Sequence, residues 1–382
     1  MRYHGVLGHD TRLSSRNTCI DVFRSFALLT IFINHIPGTL YEYITHKNFG
    51  FSDSTEVFVL LSGVSLGLSY HAHLHRQSFT FVVRKLWKRA FQLYGAYLFT
   101  TFATLSIFLG AFLLWHVEQL LSMNNIKLFI TQPFIALLST LSFGHQLGYN
   151  NILPLYIVLM IFAPFVLYLG CKQKKLLLLG SFMLYLVCGF YKIAPPSYPL
   201  PGKWFLNPLS WQFLFIIGLT STLYLQQEKT IAFKPFLVIF SAGYLLVALL
   251  WVRLSWWGVL GWFQWSSPLI NFNKTFLSLP RLFHIIALSS IILCLPSLHN
   301  WFRVSPNHPL AVLGRHSLPV FVTGTVFAML GQVLKTVMTG TFFFDSILIV
   351  SGIVMQFAVA YYCERQRHRF FYRVYSRRLI PS

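Results

Sequence analysis

Charged side chains are scarce in this sequence of 382 residues, and acidic ones are scarcest, with only nine Asp and Glu residues. Charged residues make up 10% of the chain, against about 25% in soluble globular domains. This scarcity excludes an ordinary soluble domain. Hydrophobic residues make up 55%, and the mean hydropathy is +0.62. Because many windows reach the roughly 20 apolar residues that cross a bilayer, the sequence predicts an all-α, polytopic membrane protein.

Three further features are not evident in the sequence: cysteine pairs, internal repeats and a cleavable leader. The five cysteines show no obvious pairing, so we expect no structural disulfide. No internal repeat is evident, which disfavours the transporter folds that are built from such repeats. The first 19 residues have no apolar core, so we expect no cleavable signal peptide and a first span that serves as the targeting signal.

Apolar windows divide the chain into ten predicted membrane spans. They cover about residues 20–37, 53–70, 90–115, 152–170, 176–192, 207–225, 236–253, 282–297, 309–332 and 342–363. Twenty Lys and Arg residues lie in the N-terminal segment, in every second connection and in the tail, whereas the other connections hold eight. The positive-inside rule then places both termini in the cytoplasm, and the even number of spans agrees.

The expected organisation is a cytoplasmic N-terminal segment at 1–19, a single transmembrane domain at 20–363 and a basic cytoplasmic tail at 364–382. The formal net charge of +21 is spread over short loops between apolar spans, as the positive-inside bias produces. It therefore indicates the lipid bilayer as a partner and not nucleic acid.

Two outward connections, 116–151 and 254–281, are long. The first contains an apolar stretch that Pro133 interrupts, which predicts an interfacial or re-entrant helix. The second contains the tryptophan-rich segment WWGVLGWFQWSS. An interfacial aromatic belt is the usual origin of such a segment, and a stacking platform for sugar rings is the alternative.

Arg24 and His35 lie inside the first apolar span, where charged side chains are costly and therefore rarely accidental. They are eleven residues apart, so both lie on one helix face, roughly 16 Å apart along the axis. That distance approaches the reach of an extended pantetheine arm. Arg24, near the cytoplasm, is therefore a candidate for holding coenzyme A phosphates, and His35 is a candidate general base for an acceptor hydroxyl. A snorkelling arginine and a helix-capping histidine are the structural alternatives.

Two carboxylates, Asp53 and Glu56, begin the second span on the same side as His35. A carboxylate that accepts a hydrogen bond from His35 would fix its tautomer and raise its basicity. Both residues are therefore candidate catalytic partners, with helix capping as the alternative for each. Further along this span, Gly63 and Gly67 form a G-x-x-x-G pattern that is typical of close helix packing.

The basic 71–89 loop follows on the cytoplasmic side and offers further phosphate-binding candidates, namely Arg76, Arg84 and Lys85. It opens with alternating histidines at 71, 73 and 75. Alternate residues point apart on a helix, so we expect a basic, anion-attracting surface there and no metal site. His145, His284 and His316 are weaker candidates elsewhere, and a hydrogen-bonded bundle histidine is the plainer interpretation of each.

Six segments together resemble the OpgC family of membrane acyltransferases, which is named for succinylation of osmoregulated periplasmic glucans. They read IDVFRSFALLTIFINHIPG, NFGFSDSTEVFVLLSG, LPLYIVLM, NPLSWQFLFIIG, LPRLFHIIAL and LGRHSLPVFVTG, in order along roughly residues 16–375. The family resembles the broader acyltransferase-3 group, whose first helix carries an arginine and a histidine at this spacing. The group's LSG signature falls on Leu61, Ser62 and Gly63. Members of the group often have an acidic residue where Asn34 stands, which leaves the partner of His35 open.

The resemblance implies ten membrane helices, an essential Arg24–His35 pair, an acyl-CoA donor used from the cytoplasm and a glycan acceptor outside the bacterial inner membrane. Succinyl-CoA is the donor that the family name implies. His35 is then the base or, alternatively, a transient acyl carrier. A transporter or flippase for an anionic or glycan substrate explains intramembrane charge equally well, but it predicts repeat symmetry. A polysaccharide polymerase or ligase would need longer outer loops.

Overall fold

The structure is a computed structural model that describes residues 17–228, 235–257, 267–338 and 340–378, without the side chains of 71–76, 226–228, 296, 299 and 370–378. The described chain is all-α and contains no strand beyond an isolated bridge between Pro196 and Lys203. Its α-helices are α1 (Thr18–Asn34), α2 (Ser54–Arg76), α3 (Phe79–Trp115), α4 (Gln119–Ser122), α5 (Lys127–Thr131), α6 (Pro133–Leu141), α7 (Ile152–Phe190), α8 (Pro208–Glu228), α9 (Pro235–Arg253), α10 (Leu279–Cys294), α11 (Pro296–Trp301), α12 (Pro309–Arg315), α13 (Ser317–Val337) and α14 (Phe342–Arg378).

Six described helices are long and apolar enough to cross a membrane, namely Phe79–Trp115, Gly148–Phe190, Pro208–Leu225, Pro235–Arg253, Ser317–Val337 and Phe342–Arg369. The apolar parts of α2 and α10 are shorter. The ten-span count and the cytoplasmic placement of the termini therefore stay predictions. α7 covers two of the predicted spans. Its 39 residues would measure about 58 Å if straight, about twice the hydrocarbon thickness. Its backbone leaves helical geometry at Gln173, between the two.

Two predicted segments are broken in the structure where the sequence suggested one piece. The predicted span 309–332 forms α12 and α13, which meet at His316. The predicted interfacial helix forms α5 and α6, with the break at Gln132 and Pro133 in the first turn of α6. Proline is tolerated there because the first helical turn needs no donor from its nitrogen. All five cysteines are free thiols.

Helix α8 lies between α2 and α7, and α1 packs against α2, α12 and α13. The α2–α8 contact is very close, because a Cβ added at Gly63 would overlap the carbonyl of Phe215 and one added at Gly218 would overlap that of Leu60. A Cβ at Gly67 would come too close to the side chain of Thr222, which also belongs to α8. The packing role predicted for Gly63 and Gly67 is confirmed.

Helix α1 has a defined beginning and end, which fix the positions of Arg24 and His35 along it. Asn17 caps its first turn by accepting a hydrogen bond from the amide of Cys19. The helix ends at Asn34, with His35 as its C-cap, because Pro37 cannot continue the ladder. Gly38 then turns the chain with a φ of +80°, a conformation that glycine adopts without steric cost.

Candidate functional site

Arg24 lies in the first half of α1, and His35 is the C-cap of the same helix, eleven residues later. The Arg24 guanidinium donates to the hydroxyl of Ser65 on α2 and lies 3.8 Å from the buried carboxylate of Asp21. Its side chain is 16% exposed. Arg24 is therefore held by α1 and α2, and only a small part of it reaches the surface.

The His35 imidazole is held from two sides. Its ring packs against that of Tyr149, with 4.5 Å between the ring centroids and 40° between the planes, and its own carbonyl accepts a hydrogen bond of 2.6 Å from Gln332 of α13. Nδ1 is buried and has no hydrogen-bond partner among the described residues. The side chain is thus oriented by its neighbours while one ring nitrogen is left unpaired.

Asp53 and Glu56 bond to cations and not to His35. Glu56 is completely buried and accepts a 2.7 Å hydrogen bond from Nε of Arg281 of α10, whose Nη2 lies 2.7 Å from the same carboxylate oxygen. Asp53 accepts from Lys274 and, at 3.1 Å, from Arg281. The predicted hydrogen bond between a carboxylate and His35 is therefore absent here. A fully buried carboxylate needs a full opposite charge, which arginine supplies and a neutral imidazole does not.

The same carboxylates also cap α2, which was the alternative interpretation for both. The Asp53 side chain accepts from the amide of Thr55 at 2.8 Å, and the Glu56 side chain accepts from the amide of Asp53 at 2.9 Å. This reciprocal arrangement is a capping box. One pair of residues thus begins α2 and anchors two cations near His35.

Sequence reasoning missed four members of the site: Lys274, Arg281 as a partner of the carboxylates, Tyr149 and Gln332. One signal for the cations was available. Two acidic residues at a membrane depth demand partners of opposite charge, and Lys274 and Arg281 are two of the eight basic residues in the outward connections. Nothing in the sequence indicated the contact with Tyr149, because it depends on how the 3-10 turn Gly148–Asn150 approaches the end of α1.

The phosphate-binding candidates of the basic loop lie on the helices that flank it. Arg84 and Lys85 are exposed in the first turns of α3, and the Lys85 ammonium lies 5.1 Å from the ring centroid of Tyr70. The side chain of Arg76, like the three histidines of the loop, lies outside the described side chains. The roles of Arg24, Arg76, Arg84 and Lys85 stay predictions.

The weaker histidine candidates are all hydrogen-bonded. His284 is buried, and its Nδ1 lies 2.7 Å from the hydroxyl of Ser52. His145 lies 3.1 Å from the carbonyl of Asn125, and burial lowers the pKa of its imidazole. His316 lies 2.6 Å from Glu364 of α14. These contacts match the plainer interpretation of each as a bundle histidine.

A second charged cluster lies where α12 meets α13, at the Arg24 end of the bundle. Arg315 donates to Glu364 at 2.6 Å and to the carbonyl of Pro306 at 2.8 Å, and His316 contacts the other oxygen of the same carboxylate. A Cβ at Gly314 would overlap the Asp21 carbonyl. The cluster therefore ties the break between α12 and α13 to α14, beside the part of α1 that carries Arg24.

Comparison with known families gives one match that covers almost the whole chain. A family model described as OpgC protein matches residues 16–368. No curated protein and no solved structure matches the sequence. The matched region contains both ends of α1, the α2 carboxylates and the cations that they bind. This chain belongs to the OpgC family, which implies a membrane-associated acyltransferase that modifies glucans.

Proposed function

We propose that this protein moves an acyl group from a coenzyme A thioester to a hydroxyl of a periplasmic or surface glycan, in the bacterial inner membrane. The His35 imidazole takes the proton of the acceptor hydroxyl, and the oxygen attacks the thioester carbonyl. The carbon–sulfur bond then breaks, and the coenzyme A thiolate leaves with the proton that His35 releases. This is general base catalysis of acyl transfer. In line with the family name, succinyl is the acyl group that we propose.

The observation that carries this proposal is the state of His35. Its ring is oriented by Tyr149, its backbone is held by Gln332, and Nδ1 is buried without a described partner. A buried polar atom without a partner is costly and is most often explained by function or by an unseen ligand. A base needs this combination of fixed orientation and a free ring nitrogen.

The charged groups around His35 have a supporting role in this proposal. Asp53 and Glu56 act through the cations that they hold, Lys274 and Arg281, and not on the imidazole directly. Fixed cations beside a reacting carbonyl stabilise the negative charge that develops on its oxygen. The buried carboxylates keep these cations in place before any substrate binds.

Arg24, eleven residues before His35 on α1, is the proposed contact for the donor. The roughly 16 Å along the axis approaches the length of an extended pantetheine arm, so the phosphates near Arg24 and the thioester near His35 belong to one bound molecule. The exposed basic side chains Arg84 and Lys85, together with Arg76, would attract the donor to the side of the bundle that carries Arg24.

Mass spectrometry of periplasmic and surface glycans tests the proposal in cells that express the wild-type protein, His35→Ala or His116→Asn. His116 is the exposed C-cap of α3 and has a left-handed conformation that asparagine tolerates. We expect one acyl mass on the glycan with the wild type and His116→Asn, and none with His35→Ala at equal protein level. Normal modification by His35→Ala would refute the proposal. Glycan movement by purified protein in liposomes without any acyl donor would favour a transporter instead.

A further inference from the structure

An aromatic cluster lies where the end of α9 meets the 38–53 connection, two residues before Asp53. It consists of Phe51, Tyr244, Trp251, Trp257 and Phe272. We propose that this aromatic cluster is the acceptor subsite and binds a pyranose ring of the glucan. The inference rests on the proposed function, which requires a glycan acceptor on this side.

Phe51 is the buried centre of the aromatic cluster. Its ring centroid lies 4.8 Å from that of Phe272, and 6.2 to 6.4 Å from those of the other three members. Phe272 also contacts Trp257 at 4.8 Å, with the two rings almost perpendicular. The cluster is open on one side, because Trp256 and Trp257 are 41% and 46% exposed. A flat apolar ring face can therefore stack there from outside.

Two hydrogen-bonding atoms beside these rings have no partner among the described residues. They are Nε1 of Trp251 and Nε2 of His46, and both are buried. The short 3-10 helix that contains His46 packs on α9, which carries Trp251. Leaving such atoms unpaired costs free energy, and sugar hydroxyls both donate and accept hydrogen bonds. Apolar ring faces beside unpaired polar atoms suit the alternating apolar and hydroxyl surfaces of a pyranose.

An interfacial aromatic belt, the alternative that the tryptophan-rich segment suggests, does not explain this geometry. Belt tryptophans place the indole N–H toward water and the headgroups. Here Nε1 of Trp251 is buried, and the rings contact one another around Phe51 instead of lying separately along the surface. The arrangement is more typical of a ligand-binding site than of an interfacial aromatic belt.

The aromatic cluster is connected to the catalytic end by adjacent residues of one connection. Asp53 follows two residues after Phe51 and holds Lys274. His284 lies 6.1 Å from Phe51 by ring centroids and is hydrogen-bonded to Ser52, next to Asp53. A sugar stacked on the aromatic cluster would thus lie next to the Asp53–Lys274 pair.

Calorimetric titration of purified protein with a gluco-oligosaccharide, without any acyl donor, tests the subsite. Trp257→Ala removes an exposed stacking ring, and Trp251→Phe keeps a ring but removes the N–H. We expect each to weaken binding about tenfold, equivalent to about 1.4 kcal/mol. Trp301→Ala is the matched control, because Trp301 is 75% exposed and packs on Phe302 outside the cluster. It should bind like the wild type.

The same variants are then assayed for acyl transfer, which separates the two proposals. We expect a raised KM for the glucan in Trp257→Ala and Trp251→Phe, with the donor KM and kcat unchanged. Wild-type protein that binds no oligosaccharide, or variants that both bind and react like the wild type, would overturn the subsite. Oligosaccharide binding that the two variants weaken, without any acyl transfer by the wild type, would support the subsite and refute the proposed function.

Discussion

Arg281→Leu would leave the most deeply buried carboxylate of the site without its cation. Glu56 is 0% exposed, and its remaining side-chain hydrogen bond comes from the amide of Asp53. Breaking a buried ion pair by removing one partner costs about 3–5 kcal/mol. We therefore expect Arg281→Leu to lower the free energy of unfolding by about this amount, because α2 and α10 lose the link between them. Asp53 retains Lys274 and is expected to contribute little to the loss.

A double-mutant cycle with Glu56→Gln separates the charge from the packing. Glutamine retains an acceptor for the Asp53 amide and needs no cation, so the double variant should recover most of the loss in unfolding free energy, measured by denaturant titration in mixed micelles. Lys47→Met is the control, since the Lys47 and Glu42 side chains are 32% and 22% exposed and such pairs contribute up to about 1 kcal/mol. A loss of unfolding free energy below about 1 kcal/mol in Arg281→Leu, or no recovery of it in the double variant, would refute the reasoning.

Three further predictions concern other parts of the bundle. Gly63→Val should separate α2 from α8, because its Cβ would overlap the Phe215 carbonyl. We expect its free energy of unfolding to fall by about 1–3 kcal/mol or more, measured by thermal unfolding. Gly180→Ala should show no such loss, because Gly180 has open space around it. Arg24→Met should raise the donor KM about 10- to 100-fold with the acceptor KM unchanged, since charged hydrogen bonds contribute about 1.5–3 kcal/mol. Glu364→Gln should destabilise the protein by about 1–3 kcal/mol in the same unfolding assay, because both of its oxygens bind basic side chains.

Much of the helical architecture could be predicted from the sequence, because apolar length and loop charge report directly on helices that lie in a bilayer. The separation of Arg24 and His35 along α1 followed from helical geometry alone. The break at His316 was not predicted, although the polar residues Arg315, His316 and Ser317 interrupt the apolar pattern there. That break depends on Arg315 and His316 meeting Glu364, which lies almost 50 residues later in the chain.

Only part of the candidate site could be predicted from the sequence, for a similar reason. Residue type and position identified Asp53 and Glu56 as unusual, but not their partners, because Lys274 and Arg281 come from a connection and a helix more than 200 positions away. The sequence favoured His35 as their partner because it lies much nearer to them along the chain than these cations do. The buried carboxylates instead bind the stronger, permanently charged donors that the fold brings to them.

We propose that the acyl group enters on the side of the bundle that carries Arg24 and leaves on the acceptor at the side that carries His35. The test uses proteoliposomes of one orientation, with labelled succinyl-CoA supplied only at the face that carries Arg24 and a glucan acceptor only at the face that carries His35. We predict labelled glucan with the wild type and with His116→Asn, and none with His35→Ala. Transfer that persists in His35→Ala, or that occurs only when donor and acceptor share one face, would contradict it.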